Sequence, residues 1–416
     1  MEAISSNSVG EKSINGKKAL SGLRVVEFAR MISGPYCGKL LADLGAEVIK
    51  IEMPGIGDKS RTTGPFVNEL PHPEQSGLFS YLNTNKLGIT LNPASKEGRK
   101  IFFRLLEHAD ILVENNSPRL MEQWGLKHTD ILNTNPGLIM TSITPFGWNG
   151  PYRDYHACEL ITYHSSGAGH TTPRSGDPDQ PPLKLGARVT EFYAGMNGAL
   201  AAMGAVLVRE MTGRGQNIDI SAQECFLNNA WAGLPYWLFG NELMGRGGRQ
   251  PWAPLAILPC KDGHVSFQFQ SEQQWKDLVE LMGNPDWAES ELFKDQFARG
   301  ENWDGLALLM NEWLAGQSKQ AFFHAAQAKR CPVGPVNRID EVLDCKHLAD
   351  RGFFVKIDIP GAGKVKIPSA PYKFSKTPWQ LERPAPTLGQ HNAEIYCDRL
   401  GISREDLVNM RSSGVI

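Results

Sequence analysis

Between residues 23 and 143 the chain alternates short β-branched apolar runs with helical stretches, and this alternation limits the fold more than any other feature. LRVVEFA (23–29) and AEVIKIE (46–52) read as strands flanking the helical PYCGKLLADLG (35–45). Two strands joined by a crossover helix pair in parallel, because only a long connection brings the second strand back in the same direction. The pattern continues through GITLN (88–92), the helical KEGRKIFFRLLEHA (96–109), ILVEN (111–115) and LIMTSI (138–143). It predicts an α/β fold with a doubly wound parallel sheet, in which ligands gather beyond the carboxyl ends of the strands. The loops to watch are therefore ARMISGP, IEMPGIGD, NTNK, ENNSPR and SITPFGWNGPY.

Length supports more than one domain. At 416 residues the chain exceeds the usual size of a single core. From about residue 226 the character shifts to aromatic and glycine-rich stretches, followed by a hairpin-like LPCKDGHVSFQF. This suggests a large domain over 20–225 and 341–416, a smaller domain inserted over 226–340, and a disordered polar lead-in over 1–19. Lys and Arg number 43 against 45 Asp and Glu, a net charge of −2 that gives no reason to expect nucleic acid or an anionic membrane as partner. No apolar run reaches bilayer-spanning length by eye, and no secretory signal is visible, so a cytoplasmic location is expected. Seven scattered cysteines without a CxxC pair support neither a zinc site nor a disulfide framework. GxGxxG, Walker, HExxH and GxSxG patterns are absent.

One carboxylate stands out. In LGARVTEFYAGMNG (185–198), Glu191 lies where turn-forming residues give way to a long helix rich in small residues. It is either a helix-start carboxylate satisfying free N–H groups or a reactive group held beside the interior, where desolvation raises its pKa. Gly195, Gly198 and Gly204 within that helix suggest close approach by a neighbour.

Nearly the whole chain from Leu20 resembles the family III CoA-transferases, a group that includes formyl-CoA transferase. The resemblance rests on LSGLRVVEFARMISGPYCGKLLADLGAEVIKIEMPGIGD, NTNKLGITLNPASKEGR, ILVENNSPRLMEQWGL, SITPFGWNGPYRD, MTGRGQNIDIS, CPVGPVNRIDEVL and LGQHNAEI, in the family's order. It implies a Rossmann-like large domain plus a small one, with two chains interlocked as rings in a homodimer. It implies transfer of CoA from an acyl-CoA to a carboxylic acid through an acylated side chain, with CoA as substrate and no permanent cofactor or metal.

Position by position, the resemblance places Glu191 where the family carries its catalytic Asp. The functional group is kept, but one more methylene moves it about 1.5 Å along the chain. Glu159, in HACEL, matches a glutamate that lines the acyl pocket in formyl-CoA transferase. Its bland alternative is a surface-loop carboxylate. The superfamily's racemases hold a His where this chain has Cys158, which argues against a racemase or isomerase. A non-catalytic CoA-binding subunit is the other alternative, which the Asp-to-Glu departure would permit. For CoA the resemblance implies Ile32, Ser33, Asn92, Asn115, Asn116, Ser117, His156 and Ala157, with Cys158, Gly247 and Gly248 beside the substrate. Met53 replaces an Arg next to the nucleotide, leaving Lys50, Lys59 and Arg61 as candidate cations. GRGGR (245–249) resembles a mobile glycine loop, from which Arg246 or Arg249 could meet a substrate carboxylate.

Overall fold

The computed structural model describes residues 18–173, 176–228, 233–246, 253–361 and 363–416. Six strands form one sheet: β1 (Arg24–Phe28), β2 (Glu47–Glu52), β3 (Leu87–Thr90), β4 (Ile111–Glu114), β5 (Ile139–Thr144) and β6 (Asn217–Ser221). Their spatial order is β3-β2-β1-β4-β5-β6, every pair parallel. The first five follow the apolar runs read from the sequence. β6 was not singled out as a strand: NIDIS alternates at the sheet edge, where only its end is buried. The order reverses between β1 and β4, which makes the gap beyond their carboxyl ends the natural ligand crevice.

The helices of this part are α1 (Ser33–Asp43), α2 (Gly77–Leu82), α3 (Lys96–Leu106), α4 (Pro118–Gln123), α5 (His128–Thr134), α6 (Glu159–Ser165), α7 (Val189–Thr212), α8 (Ala222–Leu227) and α9 (Gly233–Gly240). Both sheet faces are covered because successive strand residues point to opposite sides. Val25, Ile111 and Val113 pack with α1 and α7, and Val26 and Leu112 pack with α3, α5 and the C-terminal residues Tyr396, Val415 and Ile416. The C-terminal return is fastened to β3 through Tyr396 Oη to the Thr90 carbonyl at 2.6 Å and His391 N–H to the Gly88 carbonyl at 2.9 Å.

α7 lies close against α1 because Gly195 admits its backbone, while Gly198 makes room for a β5 side chain. A Cβ on Gly195 would stand 2.4 Å from the Ser33 carbonyl oxygen, and one on Gly198 2.8 Å from Ile143 Cδ1. Gly204 differs from expectation, since a Cβ there meets nothing within 4 Å. α7 also corrects the reading that no segment has bilayer-spanning length. Its 24 residues are long and apolar enough by composition, because the stretch mixes core alanines with an outward stripe of Met196, Leu200, Leu207 and Met211. Ala194, Ala202 and Ala205 are buried against the sheet.

The chain separates into two compact units. One holds the sheet and comprises the residues up to 173, 181–244 and 352–416; the other comprises 174–180 and 245–351. The boundaries differ from the expected 226–340: α8 and α9 belong with the sheet, while residues 341–351 belong with the smaller unit. That unit has its own core around Val265, Phe267, Trp275, Leu306 and Phe322, and an antiparallel sheet of β7 (Leu255–Cys260), β8 (Gly263–Gln268) and β9 (Val333–Pro335). The hairpin-like LPCKDGHVSFQF is β7–β8. Two further strands, β10 (Phe354–Ile359) and β11 (Gly363–Pro368), pair antiparallel in the large unit.

Candidate active site

The first four N–H groups of a helix have no partner within it, and an external oxygen must satisfy them. At the head of α7 that oxygen belongs to Glu159, from the first turn of α6. Its carboxylate accepts from the Thr190 N–H at 3.2 and 3.1 Å, from the Thr190 hydroxyl, and from the Glu191 N–H at 3.3 Å. Lys184 Nζ lies 3.7 Å away. Glu159 is thus a buried cap on another element's helix, and the surface-loop alternative does not hold.

With the helix dipole already answered, Glu191 does not need to turn back onto its own backbone. Its Oε1 receives Arg188 Nη1 at 3.4 Å, while Oε2 is buried without a hydrogen-bond partner among the described residues. Burial raises the Glu191 pKa above the ordinary glutamate range. The Arg188 charge pulls it back down, and the neighbouring Glu159 carboxylate adds to the rise. A desolvated carboxylate with one oxygen unengaged is a stronger nucleophile than a solvated one.

Glu191 faces a cavity of about 130 Å³ whose wall includes Met31, Ile32, Ser33, Asn115, Thr144, Ala157, Cys158, Glu159 and Thr162. The loop after β1 is pinned to the end of β4: Arg30 N–H donates to Asn115 Oδ1 at 2.9 Å, and Asn115 Nδ2 donates to the Arg30 carbonyl at 2.7 Å and Ser33 Oγ at 3.2 Å. A second cavity, about 340 Å³, lies against the same two loops and takes the intervening residues: Phe28 at the end of β1 with Ala29 and Arg30 beyond it, Asn116 beyond β4, and Met53, Lys59 and Trp124. Asn116 Nδ2 holds the Phe28 carbonyl at 3.0 Å. A long ligand crossing from β1 to β4 would touch both.

The structure therefore gathers Ile32, Ser33, Asn115, Ala157, Cys158, Glu159 and Glu191 around one cavity and places Asn116 at the next. Three predicted residues are elsewhere or differently engaged, and two lie outside the described residues. Asn92 sits at the end of β3 with its N–H on the Val415 carbonyl and its Oδ1 on Ala94 N–H, because the C-terminus covers that strand end. Ser117 caps α4 through the Leu120 N–H. His156 is exposed and lines neither cavity. Gly247 and Gly248, with Arg249, lie outside the described residues; Arg246 donates to the Pro178 carbonyl within the smaller unit.

Two of the three candidate cations are not free for a ligand. Lys50 is fully buried, its Nζ 2.9 Å from each of Glu27 Oε1, the Ala29 carbonyl and Asp58 Oδ2. Arg61 grips both Glu52 oxygens at 2.7 and 2.8 Å and reaches Glu74 and the Pro386 carbonyl, with its guanidinium over the Phe79 ring. Lys59 is exposed at the second cavity, joined by Arg30, which sequence reading passed over. The signal for Arg30 was its position one residue beyond the predicted β1.

The chain was compared with known proteins. The description "CoA-transferase family III" matches residues 20–392. A succinyl-CoA–D-citramalate CoA-transferase of Chloroflexus aurantiacus is 32% identical, over 96% of this chain and 98% of its own. A formyl-CoA:oxalate CoA-transferase of Streptomyces avermitilis is also 32% identical, over 96% and 100%. Among solved structures, a CAIB/BAIF family protein from Brucella suis superposes with a TM-score of 0.81 at 30% identity, covering 92% of this chain and 99% of its own. With family signature, full-length relatives and fold in agreement, the chain belongs to the family III CoA-transferases and is an enzyme of that class.

Proposed function

We propose that this chain transfers CoA through a covalent intermediate on Glu191, glutamate serving where the family's resemblance implies aspartate. The observation that carries the reading is Glu191 Oε2, buried and unpartnered in a cavity walled by strand-end residues. The carboxylate attacks the thioester carbonyl of the donor, the C–S bond breaks, and CoA thiolate leaves with its electron pair. The thiolate then attacks the glutamyl carbonyl of the mixed anhydride, releasing the donor acid and leaving a glutamyl-CoA thioester. An acceptor carboxylate repeats the two exchanges in reverse order, which regenerates Glu191 without a metal or redox step.

Glu159 fixes the head of α7 and so fixes the attack direction, making it a positioning residue in this reading. CoA crosses the Rossmann-like switch point between β1 and β4, with its phosphates near Lys59 and Arg30 and its thiol directed at residue 191. The smaller cavity has room for a thioester and a short acyl group, which favours small acids. The outward stripe Met196, Leu200, Leu207 and Met211 on α7 supports burial in an interlocked homodimer. A cytoplasmic location, where acyl-CoA and reduced thiols coexist, fits this chemistry.

The test is peptide mapping after incubation with succinyl-CoA or formyl-CoA followed by hydroxylamine. The expected result is a hydroxamate on the peptide containing residue 191. A protein that binds CoA yet yields no modified peptide with any acyl donor would sink the reading and favour a non-catalytic subunit.

A further inference from the structure

Arg188 occupies the N-terminal boundary of α7, three residues before Glu191, and its side chain is 42% exposed while that of Glu191 is 22% exposed. Glu191 Oε1, at 3.4 Å, is its only side-chain partner among the described residues. The other nearby cation is already engaged: Lys184 Nζ meets the Leu185 and Ala187 carbonyls and Glu159. Arg188 therefore presents a half-exposed guanidinium beside the Glu191 carboxylate, which itself lines the reaction cavity, and among the described residues one side-chain charge holds it there.

That charge disappears during the proposed reaction. When Glu191 becomes a thioester it goes from anion to neutral acyl group, and the guanidinium loses its one side-chain ion pair among the described residues. The next species to arrive is itself a carboxylate. We propose that Arg188 is the acceptor-carboxylate site, released by acylation of Glu191 and then taking one oxygen of the incoming acid while the other attacks the glutamyl thioester. In that step a C–O bond forms, the C–S bond breaks and CoA thiolate departs; the thiolate then attacks the acceptor's carbonyl, and the Glu191 carboxylate returns to Arg188. No proton is required. The arrangement gives an order to the cycle, because the acid's site opens only after the donor has reacted. A guanidinium suits the task through its planar, carboxylate-matching donors.

The proposal rests on the covalent reading above and deepens it. Its test separates an anionic from a neutral nucleophile. The unsubstituted protein and Arg188→Gln are loaded with succinyl-CoA at pH 8, and the adduct on residue 191 is discharged either by isotopically labelled succinate or by hydroxylamine. Succinate must be an acceptor, since it is the acid that leaves in the forward step. Discharge starts from a thioester with no proton to lose, so any influence of Arg188 on Glu191 ionisation does not enter. Loss of a hydrogen bond to a charged group predicts that half-saturation by succinate rises roughly 10- to 100-fold, with hydroxylamine discharge unchanged and Arg188→Lys recovering part of the loss. Succinate discharge unchanged in Arg188→Gln overturns the proposal. So does equal slowing of both nucleophiles, the mark of a merely structural role. No adduct in the unsubstituted protein, with succinyl-CoA or with formyl-CoA, removes the covalent reading and the proposal with it.

Discussion

Two groups of buried acids sit near the strand ends, and they are satisfied to opposite degrees. On β1, at the end of β2 and in the loop after it, Glu27, Glu52 and Asp58 are locked to Lys50, Lys86 and Arg61 at 2.7 to 2.9 Å. Burial opposes the charge on Asp58, but Lys50 and the Met31 and Ser60 N–H groups hold its pKa below the ordinary range. At the head of α7, Glu159 is similarly saturated with donors, but Glu191 has one long contact and one unengaged oxygen, and burial raises its pKa. The lesson is that carboxylate, burial and cation are common to both regions, and the difference lies in how many lone pairs are spoken for. The crowded network spends its charges on architecture: Asp58 Oδ1 also takes the Met31 N–H at 2.9 Å, fixing the loop from which Ile32 and Ser33 reach the cavity. The sparse site leaves one Glu191 oxygen without a hydrogen-bond partner among the described residues, the oxygen that attacks in the proposed mechanism.

The largest effect expected from this contrast is on turnover. Glu191→Gln keeps the shape and removes the attacking oxyanion, so transfer should fall by at least about a thousandfold while CoA affinity in calorimetry changes little. Stability should not suffer. A raised folded-state pKa means the ionised form is disfavoured by folding, so at neutral pH the neutral amide should be equal or better in chemical denaturation. Undiminished transfer would move the search to other residues.

The converse change belongs to the other region. Lys50→Met removes the ammonium shared by Glu27 and Asp58 and leaves two buried carboxylates underpaired, a loss of about 3–5 kcal/mol of unfolding free energy. Denaturant titration measures it. If Lys50→Met were neutral for stability yet abolished CoA binding, the network would be a ligand site and the comparison would fail.

Glu191→Asp comes next. In a site fitted around the longer side chain, withdrawal by about 1 Å should cost roughly a hundredfold in turnover. If the unsubstituted protein shows no transfer and Glu191→Asp creates it, glutamate marks a lapsed site.

The sheet was legible in the sequence, and the ion pairing was not. Five of the strands announce themselves as buried apolar runs, because a parallel strand covered on both faces has little choice of residue. The position of Glu191 at the head of a small-residue helix was legible because an acid suits a helix start, whereas a reactive role was implied only by the family resemblance. Nothing local distinguishes Lys50 and Arg61 from exposed Lys59, since their burial is decided by partners brought from far away; the Pro386 carbonyl that Arg61 holds is 325 residues along. Glu159 was named as a candidate, but its capping of α7 was hidden for the same reason, its donors lying 31 and 32 positions away on another helix. Asn92 was misplaced because the C-terminus, invisible to a local reading, closes over the end of β3.

The smallest expected effect probes the coupling between the two acids at the head of α7. In the proposed mechanism Glu191 must be ionised to attack, so turnover on the donor should fall as pH drops through its folded-state pKa. That acid limb should stand above the ordinary glutamate value, chiefly because of burial. Glu159 adds to the rise through its charge. Glu159→Gln keeps an acceptor for the Thr190 and Glu191 N–H groups but removes that charge, so the limb should shift to lower pH. Weakening the cap should also cost about 1 kcal/mol of stability. A pH–rate profile of the two proteins, read beside their unfolding curves, decides the matter. A limb that moves down with a small stability loss means that Glu159 acts on Glu191 through space. A limb that stays put while stability falls would reduce Glu159 to a helix cap, and the sparse region would then hold a single functional acid.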